Sequence, residues 1–197
     1  MASKLLPFRQ VHENDVVNLF AYDGDDAQRG LVVKLDTTHG WKLSDGFGTD
    51  SINNSYANTV SDRYNVKALV QTCTSGKANS IPFGMLMYDV KETDENGEKL
   101  IYHPRKAHEM QVSVSGQAVP VLTKGIVLLN MHDDDRNSVA IKAGTEAYAG
   151  GAGAVISHSN APIDLMRIGT FLGPRETNGE VLVKLDFNGA NDRPLVS

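Results

Sequence analysis

Three stretches of the sequence place apolar side chains at every second position, and this period constrains the fold more than any other feature. The pattern covers residues 31–35, 110–114 and 181–187. Successive side chains of a β-strand point to opposite faces of a sheet, so the period predicts strands with one buried face. In the first stretch, we expect Leu31, Val33 and Leu35 to share the buried face. In the last, we expect Val183 to point into the core and Lys184 to point into solvent.

Turn-forming residues separate these stretches along the whole chain, and 18 of the 197 residues are glycine. The Asn-Gly pair at 96–97 favours a two-residue hairpin, because both residues tolerate positive φ, and it places Asp94 opposite Lys99. Apolar spacing typical of a helix is not sustained beyond about two turns, and 61–68 and 161–166 are the candidate short helices. The sequence therefore predicts an all-β domain, a sandwich or barrel of about ten short strands.

An extended N-terminal arm is predicted in front of this domain. At about 100–200 residues per domain, the chain makes a single β-rich domain at 15–197, preceded by the arm at 1–14. The apolar side chains of the arm include Leu5, Leu6, Phe8 and Val11. Pro7 interrupts it and has no backbone N–H to donate. An extended segment cannot bury its own side chains, so the arm lies on its own body or on a neighbouring molecule, unless it is a frayed terminus.

A long polar segment, predicted as a loop at 37–65, interrupts the strand pattern. It is longer than an ordinary connection, which is typical of a loop that functions or is ordered by a partner. Trp41, Phe47 and Tyr56 lie within it. These aromatic side chains either anchor the loop on the body of the domain or contact a partner.

Composition and charge argue against several classes of protein. The formal net charge is −5, whereas a nucleic-acid-binding protein needs a basic stripe. A single cysteine excludes an intrachain disulfide and a multi-cysteine zinc site. No apolar run approaches the roughly 18 residues that a membrane span needs. The first ten residues lack an apolar signal-peptide centre, so we expect synthesis in the cytoplasm of the cell that makes it.

Each motif that could form a catalytic or binding site lacks a feature that the site requires. Asp133, Asp135 and Asn137 have the spacing of calcium ligands, but Ser138 and Gly144 replace the glycine and the glutamate that such a loop needs. The glycine-rich stretch at 149–154 precedes a predicted strand rather than a helix, which favours a tight turn over a dinucleotide site. The six histidines form no metal-binding spacing. We therefore predict no catalytic, cofactor-binding or metal-binding residue.

Short motifs along most of the chain resemble a family of tailed-bacteriophage capsid decoration (cement) proteins. The resemblance rests on segments 8–20, 82–90, 94–98, 104–110, 115–120, 167–173 and 178–185. It implies a β-barrel or β-tulip body without a cofactor that sits on the exterior of the capsid and binds HK97-fold major capsid protein. It also implies a homo-oligomer, either a trimer or a dimer. The arm residues, with Trp41, Phe47 and Tyr56, are then the candidate partner-binding residues. The loop at 37–65 is the part that departs most from the family.

Two other functions remain open from the sequence. The protein could be a head-fibre or carbohydrate-binding module for attachment to host surfaces, with the loop aromatics as stacking platforms for sugar rings. It could also be a small hydrolase with a site around His103, His108 and Glu109. Loss of glycan binding on Trp41→Ala would indicate the first, and turnover of an ester or phosphate substrate would indicate the second.

Overall fold

The structure is a computed structural model, and it describes residues 5–8, 10–22, 26–35, 69–72, 81–130, 140–157 and 166–187. Within these residues the chain forms thirteen strands: β1 (Leu5–Pro7), β2 (Val16–Tyr22), β3 (Val32–Leu35), β4 (Leu69–Thr72), β5 (Pro82–Leu86), β6 (Asp89–Lys91), β7 (Val112–Val114), β8 (Ala118–Leu122), β9 (Lys124–Asn130), β10 (Glu146–Ala149), β11 (Val155–Ser157), β12 (Arg167–Phe171) and β13 (Glu180–Asp186). The same residues contain one α-helix, α1 (Pro104–Glu109), and 3-10 helices at Glu13–Asp15, Leu100–Tyr102 and Gly151–Gly153.

The strands form a closed barrel next to an open sheet. The barrel order is β2-β4-β3-β5-β8, and the six-stranded sheet has the order β1-β9-β13-β12-β10-β11. All neighbours in the open sheet are antiparallel, whereas β2 and β4 in the barrel are parallel. Strands β6 and β7 form a small parallel pair beside α1. The prediction of an all-β fold is confirmed.

Three barrel strands, β3, β5 and β8, are buried on both faces. Each carries two adjacent buried side chains: Val32 and Val33, Met85 and Leu86, and Val121 and Leu122. One member of each pair belongs to the cluster inside the barrel, and the other belongs to the cluster between the barrel and the open sheet. The expectation for 31–35 is therefore wrong, because Val32 is buried as fully as Val33 and Leu35 is 40% exposed. A strand that lies between two cores loses the apolar–polar alternation of a half-buried strand.

Strand β13 follows the predicted alternation along its length. Val181, Val183 and Leu185 are buried in the core between the barrel and the sheet, whereas Lys184 is exposed. This strand has solvent on its other face, so the period of two survives.

The segment after β6 differs from its prediction. Asp94 O accepts from Gly97 N at 3.1 Å, Thr93 bridges Lys99, and Gly97 has φ +80°. The turn is thus longer than two residues, and Lys99 forms an ion pair with Glu92 at 3.2 Å instead of facing Asp94. In place of the second strand of the predicted hairpin, the chain forms the 3-10 helix at Leu100–Tyr102, which is followed by α1. The two segments proposed as helices lie outside the described residues, except for Met166.

The described part of the N-terminal arm lies on its own body, which is one of the three alternatives given above. Strand β1 pairs antiparallel with β9, and Leu5 is 1% exposed in the core. Val11 packs against the same core. A partner therefore has no access to Leu5, which corrects its assignment as a contact residue, and Val11 is half-buried.

Candidate partner-binding face

The outer face of the open sheet, the side turned away from the barrel, carries a row of leucines. Leu6 of β1 lies opposite Leu128 of β9, and Leu128 lies opposite Leu182 of β13. The row continues at the end of β12, where Leu172 N donates to Leu182 O at 2.8 Å. We call these four leucines the apolar row. At roughly 4.8 Å between neighbouring strands, the row is about 14 Å long.

The direction of these side chains follows from their buried neighbours. Leu5, Val127, Leu129, Val181 and Val183 all point into the core. Successive side chains of a strand alternate in direction, so the residues between them point outward. Leu6 and Leu172 are each 40% exposed, and the two central leucines of the row are half-buried. Exposed leucines in isolation are ordinary, but a contiguous apolar patch is typical of an interaction site.

A second row lies beside the first, and it starts from Phe8. Phe8 N donates to Ile126 O at 3.0 Å, Ile126 lies opposite Lys184, and Lys184 lies opposite Thr170. Phe8 is 57% exposed, which makes it one of the most accessible large apolar side chains on the described surface. Phe8 and Ile126 together with the apolar row form what we call the apolar patch, bordered by polar side chains at Lys184 and Thr170.

The open edge of β1 offers few hydrogen-bond donors. Backbone N–H groups point alternately to the two sides of a strand, and Phe8 N points towards β9. The nitrogen of Pro7 therefore faces the open edge, where it has no hydrogen to donate. Proline in this position blocks the addition of another strand. A partner would bind this region through side chains on the outer face rather than through main-chain pairing.

The polar border of the patch holds a small cavity of about 100 Å³, lined by Arg167, Gly169, Thr170, Lys184 and Asp186. Arg167 Nη2 donates to Thr170 Oγ1 at 3.0 Å, and Arg167 Nε lies 3.4 Å from Glu146 Oε1. These contacts hold the guanidinium group in place against the sheet.

A separate polar cluster fixes the turn at 94–97 to α1. Lys106 Nζ donates to Asp94 Oδ2 and, at 3.0 Å, to Glu98 Oε2. Asp94 Oδ1 accepts from the backbone nitrogens of Asn96 and Glu98, both at 2.8 Å. The pKa of Asp94 is lowered to about 2, chiefly by the hydrogen bond from Lys106 and also by the backbone donors, against the opposing effect of burial. The same contact raises the pKa of Lys106. These bonds join the turn to α1, so the cluster has a structural role.

The side chains proposed for a hydrolase lie around α1. His103, His108 and Glu109 are exposed, and Glu109 Oε1 forms an ion pair with Arg105 Nε at 3.1 Å. His103 and Glu109, together with Tyr102, line a wide surface cavity of about 550 Å³. The hydrolase function stays a prediction.

The predicted contact residues have different positions. Leu6 and Phe8 belong to the apolar patch, whereas Trp41, Phe47 and Tyr56 lie outside the described residues, so the glycan-binding interpretation stays a prediction. The sequence reasoning did not identify Ile126, Leu128, Leu172 and Leu182. The sequence does contain a signal for three of them. Ile126, Leu128 and Leu182 lie in the uninterrupted apolar runs 126–129 and 181–183, on strands that bury only one face.

Within the described ranges, no helix is long and apolar enough to span a membrane, and no three His, Cys, Asp or Glu side chains are grouped as metal ligands would be. A scan against protein-family models matches no family, and a search of curated proteins finds no significant match.

Proposed function

We propose that this protein is a virion structural protein, a decoration or cement protein that binds the outer surface of a phage head and stabilises junctions between subunits of the HK97-fold major capsid protein. The observation that carries the proposal is the apolar patch on the outer face of the open sheet. The resemblance of segments along the chain to the decoration-protein family supports this choice of partner. The patch supplies a surface with the chemistry of a protein contact.

The patch is suited to binding because its residues are already ordered. Fully burying a side chain such as leucine or phenylalanine contributes roughly 1.5–3 kcal/mol. A free arm would lose about 1–2 kcal/mol of backbone freedom per residue on binding. Strand β1 has lost that freedom on folding, since it pairs with β9. Leu6 and Phe8 therefore bind without most of the ordering cost that reduces affinity in flexible segments.

Stabilisation of a shell requires contact with more than one subunit. We propose that the protein acts as a trimer or a dimer, in which each copy presents one patch. Once the first patch is bound, the others bind at a high effective concentration, so modest contacts add up to stable retention.

The test is co-sedimentation of the full chain with expanded shells that lack decoration. We expect Phe8→Asp, and more strongly Leu6→Asp with Phe8→Asp, to weaken binding at least tenfold, because a carboxylate would be buried without a partner. Leu19→Asp is the matched control. Leu19 is 44% exposed on barrel strand β2, so it has similar accessibility outside the patch.

Two results would contradict the proposal in different ways. If the wild-type chain does not sediment with shells, the assigned function is wrong. If wild type and the patch variants bind equally well, the protein contacts the shell through another surface. Thermal melting of each variant checks that the substitution leaves the fold intact.

A further inference from the structure

We propose that the polar cavity between β12 and β13 is a carboxylate-binding pocket, which takes an acidic side chain of the protein that covers the apolar patch. This inference rests on the proposed function, because it names the chemistry of the partner at the border of the same surface. The cavity is lined by side chains of both signs on the outer face of the sheet.

The lining of the cavity carries two cations, Arg167 and Lys184, and one carboxylate, Asp186. Arg167 is paired with Glu146, and Lys124 is the cross-strand neighbour of Asp186. Lys184 remains, and among the described residues no carboxylate forms an ion pair with it. Its direct cross-strand neighbours are Ile126 and Thr170, which are uncharged. Lys184 is thus the cation of the lining that is open to a carboxylate of a partner, and beside Asp186 the single charge of a carboxylate is easier to accommodate than the double charge of a phosphate.

The geometry of the donors also fits a carboxylate. The guanidinium of Arg167 is held by Thr170 Oγ1 at 3.0 Å and by Gly169 O at 3.4 Å, so it is already positioned before a ligand arrives. Guanidinium and ammonium groups form short, charge-assisted hydrogen bonds with carboxylate oxygens. A cavity of about 100 Å³ accommodates a carboxylate group with a water molecule, but it is too small for a sugar ring or a nucleotide.

The position of the cavity identifies its ligand as part of a protein. Lys184 lies directly opposite Ile126, and Ile126 accepts the backbone hydrogen bond from Phe8. A partner segment that buries apolar side chains on the patch would thus place its next side chain at the cavity. We infer a partner with an apolar stretch flanked by Asp or Glu.

A direct test is an NMR titration of the full chain with sodium propionate as the probe. The chemical shifts of the backbone amides report binding. Sodium chloride and inorganic phosphate at equal ionic strength are the comparison titrations. We expect saturable shifts at Thr170 and Lys184 with propionate. They should be lost in Lys184→Gln and kept in Arg105→Gln, which removes an exposed cation from α1. Equal shifts with chloride, tighter binding of phosphate, or unchanged propionate binding by Lys184→Gln would each overturn the pocket.

A second test measures the pocket in the complex. Lys184→Glu should weaken shell binding by about tenfold, while Arg105→Glu, with the same change in net charge, should stay within twofold of wild type. Unchanged binding by Lys184→Glu would overturn the acidic contact. The two proposals fail separately, because propionate binding by a chain that does not sediment with shells would refute the decoration function and leave the pocket standing.

Discussion

Replacement of Gly153 by alanine tests how the open sheet is joined to the barrel. Gly153 ends the 3-10 helix between β10 and β11, and its φ is +74°. A Cβ atom at this position would lie 2.8 Å from Thr72 Cγ2 and 2.9 Å from the carbonyl oxygen of Val32. Both neighbours belong to barrel strands, and the Val32 oxygen is backbone that cannot rotate away. The turn therefore contacts the barrel closely, at a place where only glycine fits.

The magnitude of the effect can be estimated from a matched position. Gly144 has a similar φ of +87°, but no described atom lies within 4 Å of its Cβ position. The left-handed conformation costs alanine about 1–2 kcal/mol, and the lower entropy of the unfolded chain returns about 0.4–1 kcal/mol. We therefore expect Gly144→Ala to lower the free energy of unfolding by about 1 kcal/mol. Gly153→Ala adds the cost of overpacking, about 1–3 kcal/mol, for a total of about 2–4 kcal/mol.

Urea unfolding followed by far-ultraviolet circular dichroism measures both variants. The difference between them isolates the steric contact, because the backbone conformation is nearly the same. If the two free energies of unfolding agree within about 0.5 kcal/mol, the scale of ordinary surface substitutions, the turn does not contact the barrel as described.

Two further predictions concern the N-terminal strand and the polar cluster. Leu5→Ala should lower the free energy of unfolding by about 2–5 kcal/mol, because it opens a cavity in the core, whereas Leu6→Ala should change it by about 0.5 kcal/mol or less; equal effects in urea unfolding would show that the register of β1 is wrong. The pKa of Asp94 is lowered to about 2 in the folded protein, from 3.8, so its contribution to stability is present above about pH 4 and is lost as the pH falls towards 2. Asp94→Asn should therefore be less stable than wild type at pH 6 and should lose less stability between pH 4 and 2, and parallel pH profiles in urea unfolding would contradict this role for the carboxylate.

The local alternation of apolar and polar residues was enough to predict the strands that have one face exposed to solvent. Val183 and Lys184 are placed correctly because β13 separates the core from solvent along its whole length. The pattern does not predict the burial of Val32, because the open sheet covers the second face of its strand. Local sequence cannot show that a distant sheet covers a strand, so a doubly buried strand was read as a half-buried one.

The short helix α1 was missed although local signals for it exist. Pro104 stands at its first turn, and Arg105 and Glu109 form an i,i+4 pair. A helix of six residues is too short to be stable by itself. It depends on the packing of Ala107 against Leu100 and Val114, which lie outside the helix.

The candidate site shows most clearly what the sequence by itself cannot predict. The adjacent residues Leu5 and Leu6 have the same side chain, and the period of a strand predicts only that they point in opposite directions. Pairing with β9 decides that Leu5 enters the core and Leu6 joins Leu128 on the outer face. The row then extends to Leu182 through a second register, between segments far apart in the chain. A shift of one residue in either register would reverse which leucines are exposed, so only the tertiary structure assembles these scattered side chains into one surface.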